Sequence, residues 1–273
     1  MDPNIYYYGL VGLLLVASPI VYLVGRLSIR SGKEWGISLS RALTVFFLLV
    51  EMGLLYFVLR SALESGGVFT FIGQVTLLFD GVGFLLSAVV LLLGLMVVLF
   101  SIPYMEDEKG EEKFYALLLI TIGAIIGLCM SFDLFNLWVW FEVMAISTYF
   151  LVAFYNEQPP SLEAGFKYLV QSAIGSTLVL FGIAAIFSQT GTTALDSIWQ
   201  LDTDTGSLAR IGGVLMIIGF GVKTAMVPLH TWLPDAHSQA PSGISAMLSG
   251  VVIEAGLVAM LRAISVLGRI DVP

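Results

Sequence analysis

Residues 219–250 read GFGVKTAMVPLHTWLPDAHSQAPSGISAMLSG, which sets Lys223, His230, Asp235, His237 and three prolines between strongly apolar segments. An ionised group at the centre of a bilayer is unfavourable by roughly 2.5–3.5 kcal/mol on insertion scales, and such groups usually face a bundle interior or a hydrated path. Pro228 follows Lys223 by five residues. Proline lacks a backbone N–H and clashes with the preceding turn, so the helix carrying Lys223 is expected to kink or end there. Backbone groups freed at membrane depth survive only when buried in protein or facing a water-filled cavity. The stretch is therefore read as a hydrated interruption of a membrane helix. His230 and His237 add groups that titrate near neutral pH, as a proton relay requires. Their spacing of seven residues could suggest a metal pair, but no third ligand cluster stands near them and no metal site is expected.

Three carboxylates also fall inside apolar segments: Glu51, Glu142 and Glu254. The simplest account of any one of them is a structural salt bridge or a neutral buried acid, since burial raises a carboxyl pKa. Glu51 is read in that way. Glu142 and Glu254, with a lysine and a broken helix in the same chain, are read as part of an ion path.

The elements that must position these groups follow from composition. The chain has 273 residues, 58% of them hydrophobic and 12% charged, with a mean hydropathy of +0.95. Soluble domains carry about 25% charge, so the class is a membrane protein. The formal charge of −8 gathers in short loops such as EDEKGEE and is no sign of nucleic-acid binding. Cys129 is the only cysteine, which excludes an internal disulfide and a multi-cysteine metal or iron–sulfur site. The first apolar run has no basic leader and is too long for a cleavable signal peptide.

A span needs about 20 mostly apolar residues. That criterion gives about eight transmembrane helices, at 6–27, 37–59, 81–102, 114–131, 134–154, 166–187, 208–227 and 244–267, with the seventh discontinuous. No dyad alternation suggests barrel strands. Pro159, Pro160, SQTGTT and DTDTG are assigned to loops. Loops opposite the N-terminus hold Arg26, Arg30, Lys33, Arg41, Lys109, Lys113 and Lys167, against Arg60, Arg210, Arg262 and Arg269 on the N-terminal side. This imbalance places both termini on the outer face of a prokaryotic cell membrane.

GVKTAMVPLHTWLPDAHSQAPSGISAMLSG closely resembles the signature of the antiporter-like membrane subunits shared by respiratory complex I, multisubunit Na+/H+ antiporters and complex I-related membrane-bound hydrogenases. SFDLFNLWVWFEVMAISTYFLVAFY resembles the family's fifth span with its central acid, and FDGVGFLLSAVVLLLGLMVVLFS its third. The resemblance implies an all-α polytopic fold. Residues 1–112 would form three leading helices, and residues 113–273 one five-helix half-channel. Relatives have about fourteen spans with two such repeats in inverted orientation. The chain then corresponds to the first half of that fold.

By position, the resemblance makes Glu142 and Lys223 a switching ion pair, with the lysine taking and releasing the transported proton. It makes His230 and His237 the histidines of the water-lined break. Lys167, with Gln171 on the same helical face, stands where relatives often have a sixth-span lysine. Glu254 stands where the family usually has an eighth-span lysine, and a carboxylate there could pass protons or bind Na+. Glu254 is expected to face the bundle interior, as Lys223 does. The implied function is translocation of protons, or Na+, in a redox-driven complex. The chain itself would carry no redox chemistry and no cofactor. Redox cofactors would sit in peripheral iron–sulfur subunits, and membrane partners would include a second-half antiporter-like chain and lipid. Two other readings are a subunit of a cation/proton antiporter without redox partners, and a spacer that no longer pumps.

Overall fold

The computed structural model describes residues 4–30, 35–65, 68–72, 75–106, 108–200 and 207–267. The DTDTG stretch, Lys33 and Arg269 lie outside them. Six long helices come first: α1 (Asn4–Arg30), α2 (Trp35–Ser65), α3 (Gly81–Tyr104), α4 (Glu111–Met130), α5 (Leu134–Val152) and α6 (Pro159–Thr190). A short α7 (Leu195–Gln200) leads to α8 (Ser207–Lys223) and α9 (Trp232–Gln239). The last crossing is α10 (Ser242–Met247), a π-helical turn over Leu248–Val252, and α11 (Ile253–Leu267). Helices α1 to α6 and the α10–α11 unit are each long and apolar enough to cross a membrane.

Two local features depart from the reading above. Between α2 and α3 lies a hairpin, β1 (Val68–Ile72) antiparallel to β2 (Val75–Phe79), with Val68 opposite Phe79 and Ile72 opposite Val75. The segment is too short for a span, and its β-branched and aromatic residues suit a ladder. Pro159 and Pro160, expected in a loop, instead open α6. At the first helical positions the missing N–H would have had no partner, and the fixed φ already matches the helix.

Helix α4 is the centre of the bundle, with nearly every residue buried although it is only 20 residues long. Its N-terminal acids are held by cations of the first two helices. Arg41 forks onto Glu111 at 2.5 and 3.0 Å, and Arg26 reaches Glu112 at 3.6 Å. Acids in the first turn also complement the helix dipole. At the opposite end Arg262, assigned from sequence to a loop, is buried in α11. It donates to the Cys129 carbonyl at 2.5 Å, pairs with Asp80 at 3.3 Å and lies 5.7 Å from the Phe132 ring centroid. Asp80 also caps α3 by accepting from the Gly83 amide. One guanidinium thus ties α3, α4 and α11 together.

Helices α6 and α8 meet through glycines. A methyl group on Gly175 would lie 2.8 Å from the Gly219 carbonyl oxygen, and one on Gly212 would lie 2.7 Å from that of Gly182. Gly175 and Gly182, like Gly212 and Gly219, are seven residues apart and so share a helix face. Small residues let membrane helices approach until backbones touch, which replaces the hydrophobic drive that lipid does not supply. Because the obstructing atoms are backbone, side-chain repacking cannot relieve a substitution. Gly212→Val is therefore expected to destabilise the fold by roughly 1–3 kcal/mol, as overpacking does. The check is a lowered melting midpoint and a broadened size-exclusion profile in detergent; unchanged behaviour would contradict this packing.

Candidate functional site

Lys223 is the last residue of α8 and is 1% exposed. Its Nζ donates to the Tyr168 hydroxyl and, at 3.2 Å, to Thr148 Oγ1. The two hydroxyls are 2.9 Å apart, and Thr148 donates onward to the Met144 carbonyl at 2.7 Å. With the Thr148 proton so committed, Tyr168 donates to Thr148 and accepts from Lys223. The ammonium nitrogen also lies 4.6 Å from the Tyr168 ring centroid. A buried ammonium is tolerated only where such acceptors replace water. On its remaining side the aliphatic stem packs on α11, where a methyl group on Gly256 would lie 3.2 Å from Lys223 Cβ and Cγ.

The chain after Lys223 leaves the helix through turns before α9 begins at Trp232. A helix that stops inside protein exposes carbonyls that need donors. The Trp232 indole supplies one, donating to the Val222 carbonyl at 2.8 Å. The same indole is fully buried and stacks on Tyr168, with centroids 4.1 Å apart and planes 8° from parallel. Trp232 therefore closes the end of α8 and positions the phenol that holds its lysine. Sequence reading missed Tyr168, Thr148 and Trp232. Among these, the signal in the sequence was Trp232, an aromatic donor inside the break.

Glu142 lies on α5, six residues before Thr148, a rise of about 9 Å along the helix. The Lys223 amine thus meets α5 well beyond Glu142. It forms no contact ion pair with that carboxylate, and the two interact at longer range through Coulomb's law. Glu142 Oε1 is buried with no hydrogen-bond partner among the described residues. Gln171 Oε1 and His230 Nδ1 share that condition. His237 Nδ1 lies 2.6 Å from Ser245 Oγ, beside a polar cleft of about 680 Å³ whose lining includes Tyr104, Glu108 and Ser249.

Lys167 is half-exposed and bridges Glu163 at 2.7 Å and Asp235 at 2.8 Å, while its neighbour Gln171 donates to Thr231. The two α6 side chains clamp the break segment against α6. Glu254 corrects an expectation. It is exposed on α11, while Gly256, two residues on, faces Lys223. Residues two apart on an α-helix point about 200° away from each other. The resemblance put this position inside the bundle, but here the inward-facing neighbours are Ala255 and Gly256. Glu254 therefore points away from the Lys223 side of the bundle.

Residues 131–271 match the family model described as NADH:quinone oxidoreductase/Mrp antiporter, TM. Residues 69–115 match that of NADH-ubiquinone oxidoreductase (complex I), chain 5 N-terminus. F(420)H(2) dehydrogenase subunit N of Methanosarcina mazei is 32% identical over 256 residues, 92% of this chain and 51% of that protein. NADH-quinone oxidoreductase subunit N of Desulfitobacterium hafniense is 35% identical over 174 residues, 63% of this chain and 35% of that protein. Among solved structures, an archaeal membrane-bound sulfane sulfur reductase gives a TM-score of 0.84 at 28% identity, covering 92% of this chain and 51% of the other. Respiratory complex I from Thermus thermophilus gives 0.69 at 23% identity, which shows the shared fold. The chain spans about half or less of the length of these curated relatives. On the family match, which takes in the Lys223 break and the α5 that faces it, the chain belongs to the NADH:quinone oxidoreductase/Mrp antiporter transmembrane family.

Proposed function

We propose that this chain is an ion-translocating membrane subunit of a complex I-related, redox-driven assembly, in which Lys223 is the group that takes up and releases a proton. The observation that carries the reading is the Lys223 ammonium, buried at a helix end and held by neutral hydroxyls, with a carboxylate on the same α5. A charge paired with a contact carboxylate would be locked. An amine held by Thr148 and Tyr168 and attracted by the more distant Glu142 has two states to move between. The buried unpartnered atoms of Glu142, Gln171 and His230 support a hydrated route, since buried polar groups without protein partners call for water.

In this reading His230 and His237 relay protons between that route and the cleft at Ser245, and Lys167 holds the break segment in register. Glu254 stands on the face that a second antiporter-like half would cover, because a bare carboxylate against lipid is unfavourable by a few kcal/mol. Other membrane subunits and peripheral iron–sulfur subunits complete the assembly and carry the redox chemistry. Both termini lie on the outer side, following the excess of loop cations on the opposite face.

The decisive experiment substitutes Lys223 in the intact assembly and measures ion uptake in vesicles. Lys223→Ala is expected to abolish uptake with assembly retained. Lys223→Arg is expected to abolish it too, because a guanidinium stays charged and cannot release the proton; uptake at wild-type rate with arginine would show that only the fixed charge is needed. Tyr168→Phe keeps the stack on Trp232 but removes a hydrogen bond to a charged group, a contribution of roughly 1.5–3 kcal/mol. Uptake should then change by roughly tenfold or more with the fold unaltered by circular dichroism. Glu254→Gln is expected to leave uptake near the wild-type rate at matched expression, because Glu254 points away from Lys223; a large loss would show that this carboxylate takes part in the path.

A further inference from the structure

Helices α5 and α6 run antiparallel, and two side-chain bonds fix their register. The Trp138 indole donates to Ser176 Oγ at 2.8 Å, and the Thr148 and Tyr168 hydroxyls meet at 2.9 Å. Between these two rungs, Glu142 stands four residues after Trp138 on α5, and Ser172 stands four residues before Ser176 on α6. Four residues rise about 6 Å along a helix and return the side chain to nearly the same face. Glu142 and Ser172 are therefore level with each other, on the faces through which Trp138 and Ser176 meet.

Both groups at this level lack a protein partner. Ser172 is 5% exposed. Its Oγ is buried with no hydrogen bond among the described residues, as is Glu142 Oε1. A hydroxyl inside a helix commonly bonds back to the carbonyl one turn earlier. Thr177 does so to Ala173 at 2.8 Å, and Thr148 to Met144. Ser172 makes no such bond, so its proton and its lone pairs are free for a group outside α6. Buried polar atoms without protein partners call for water, and a buried water itself needs two or more polar neighbours. Two orphaned oxygen groups at one level supply them.

The level also stands next to the amine. Ser172 is one turn of α6 from Tyr168, the phenol that holds Lys223. An ammonium has three N–H groups; Tyr168 and Thr148 take two, and the third has no acceptor among the described residues. Glu142 lies about 9 Å along α5 from Thr148, too far for direct transfer. About two waters span that gap at about 2.8 Å per hydrogen bond.

We infer, on the reading of Lys223 as the proton-carrying group, that Ser172 is the positioning residue for proton transfer between Lys223 and Glu142. Its hydroxyl holds the water that faces the carboxylate. In the transfer an N–H bond of the ammonium breaks and its proton joins the first water. Each water passes one proton on, and an O–H bond forms on Glu142. Lys223 ends as a neutral amine and Glu142 as a neutral acid, with the waters restored. Ser172 keeps its own proton throughout.

The test is proton uptake by the intact assembly in vesicles, in H2O and in D2O, for wild type, Ser172→Ala and Lys223→Ala. Ser172→Ala removes only a hydroxyl that the protein leaves unbonded, so helical content and subunit composition should be unchanged. Uptake should fall about threefold to tenfold, the rate equivalent of one hydrogen bond. The H2O/D2O rate ratio should rise, because the proton step becomes slower than the rest of the cycle. Infrared difference spectra should show a protonated-carboxyl band that Glu142→Gln removes and that Ser172→Ala moves to higher frequency, the mark of a lost hydrogen bond. Wild-type uptake with Ser172→Ala, an unchanged isotope ratio or an unshifted band would each overturn the inference. If Lys223→Ala is inactive in the same vesicles, only the role of Ser172 fails. If Lys223→Ala also keeps wild-type uptake, the proposed function beneath it fails.

Discussion

A single ammonium group buried at the end of a membrane helix sets the terms for the structure around it. Lys223 sits where α8 stops, so two demands fall on one place: the amine needs acceptors, and the helix end needs donors. Tyr168 and Thr148 meet the first, and the Trp232 indole meets the second at the Val222 carbonyl. The close approach of α6 and α8 through facing glycines brings Tyr168 within reach, since a wider spacing between those helices would leave the phenol short of the amine. The clamps from Lys167 and Gln171 then keep the break segment, and with it Trp232, in place over α6.

The scaffold behind the site is arranged around α4. Its buried length gives α1, α2, α3 and α5 a common surface, and its two ends are held differently. At one end the acids of its first turn are held by arginines of α1 and α2. At the other, Arg262 reaches across from α11 to the Cys129 carbonyl in its last turn and to the capping residue of α3. Both ends are secured by arginine, whose planar donors serve several acceptors at once. The core between them is apolar, so these polar ends set the depth of each helix relative to its neighbours.

The apolar helices and the end of α8 at Lys223 were legible in the sequence because each rests on local signals: apolar length, an intramembrane charge and a proline. Among the described residues, seven helices rather than the expected eight are long and apolar enough to cross a membrane. What was not legible depends on contacts between distant segments. Nothing in the apolar run around Arg262 distinguishes a buried, triply engaged guanidinium from a loop cation. Thr148 and Tyr168 are ordinary residues of apolar helices until the fold places them at one amine. Pro159 and Pro160 were read as a loop, although proline also suits the first positions of a helix, where they stand. Glu254 was misplaced because its inward position was carried over from the resemblance, whereas which face of α11 meets Lys223 is set by tertiary packing. The glycine pairs of α6 and α8 were not read from the sequence, because which helices they join is a tertiary fact.

The Tyr168–Trp232 stack has a further consequence, best stated as linkage. Tyr168 touches the amine through its hydroxyl and the break segment through its ring, so α9 and the proton on Lys223 share one side chain. Any displacement of α9 that unstacks the rings also loosens a hydrogen-bond partner of the amine and releases the carbonyl at the end of α8. Reciprocity then requires that a change in the charge of the amine alter the energy of moving α9 by the same amount. The pair of rings is thus a mechanical coupling between a proton and a short helix, and it runs in both directions.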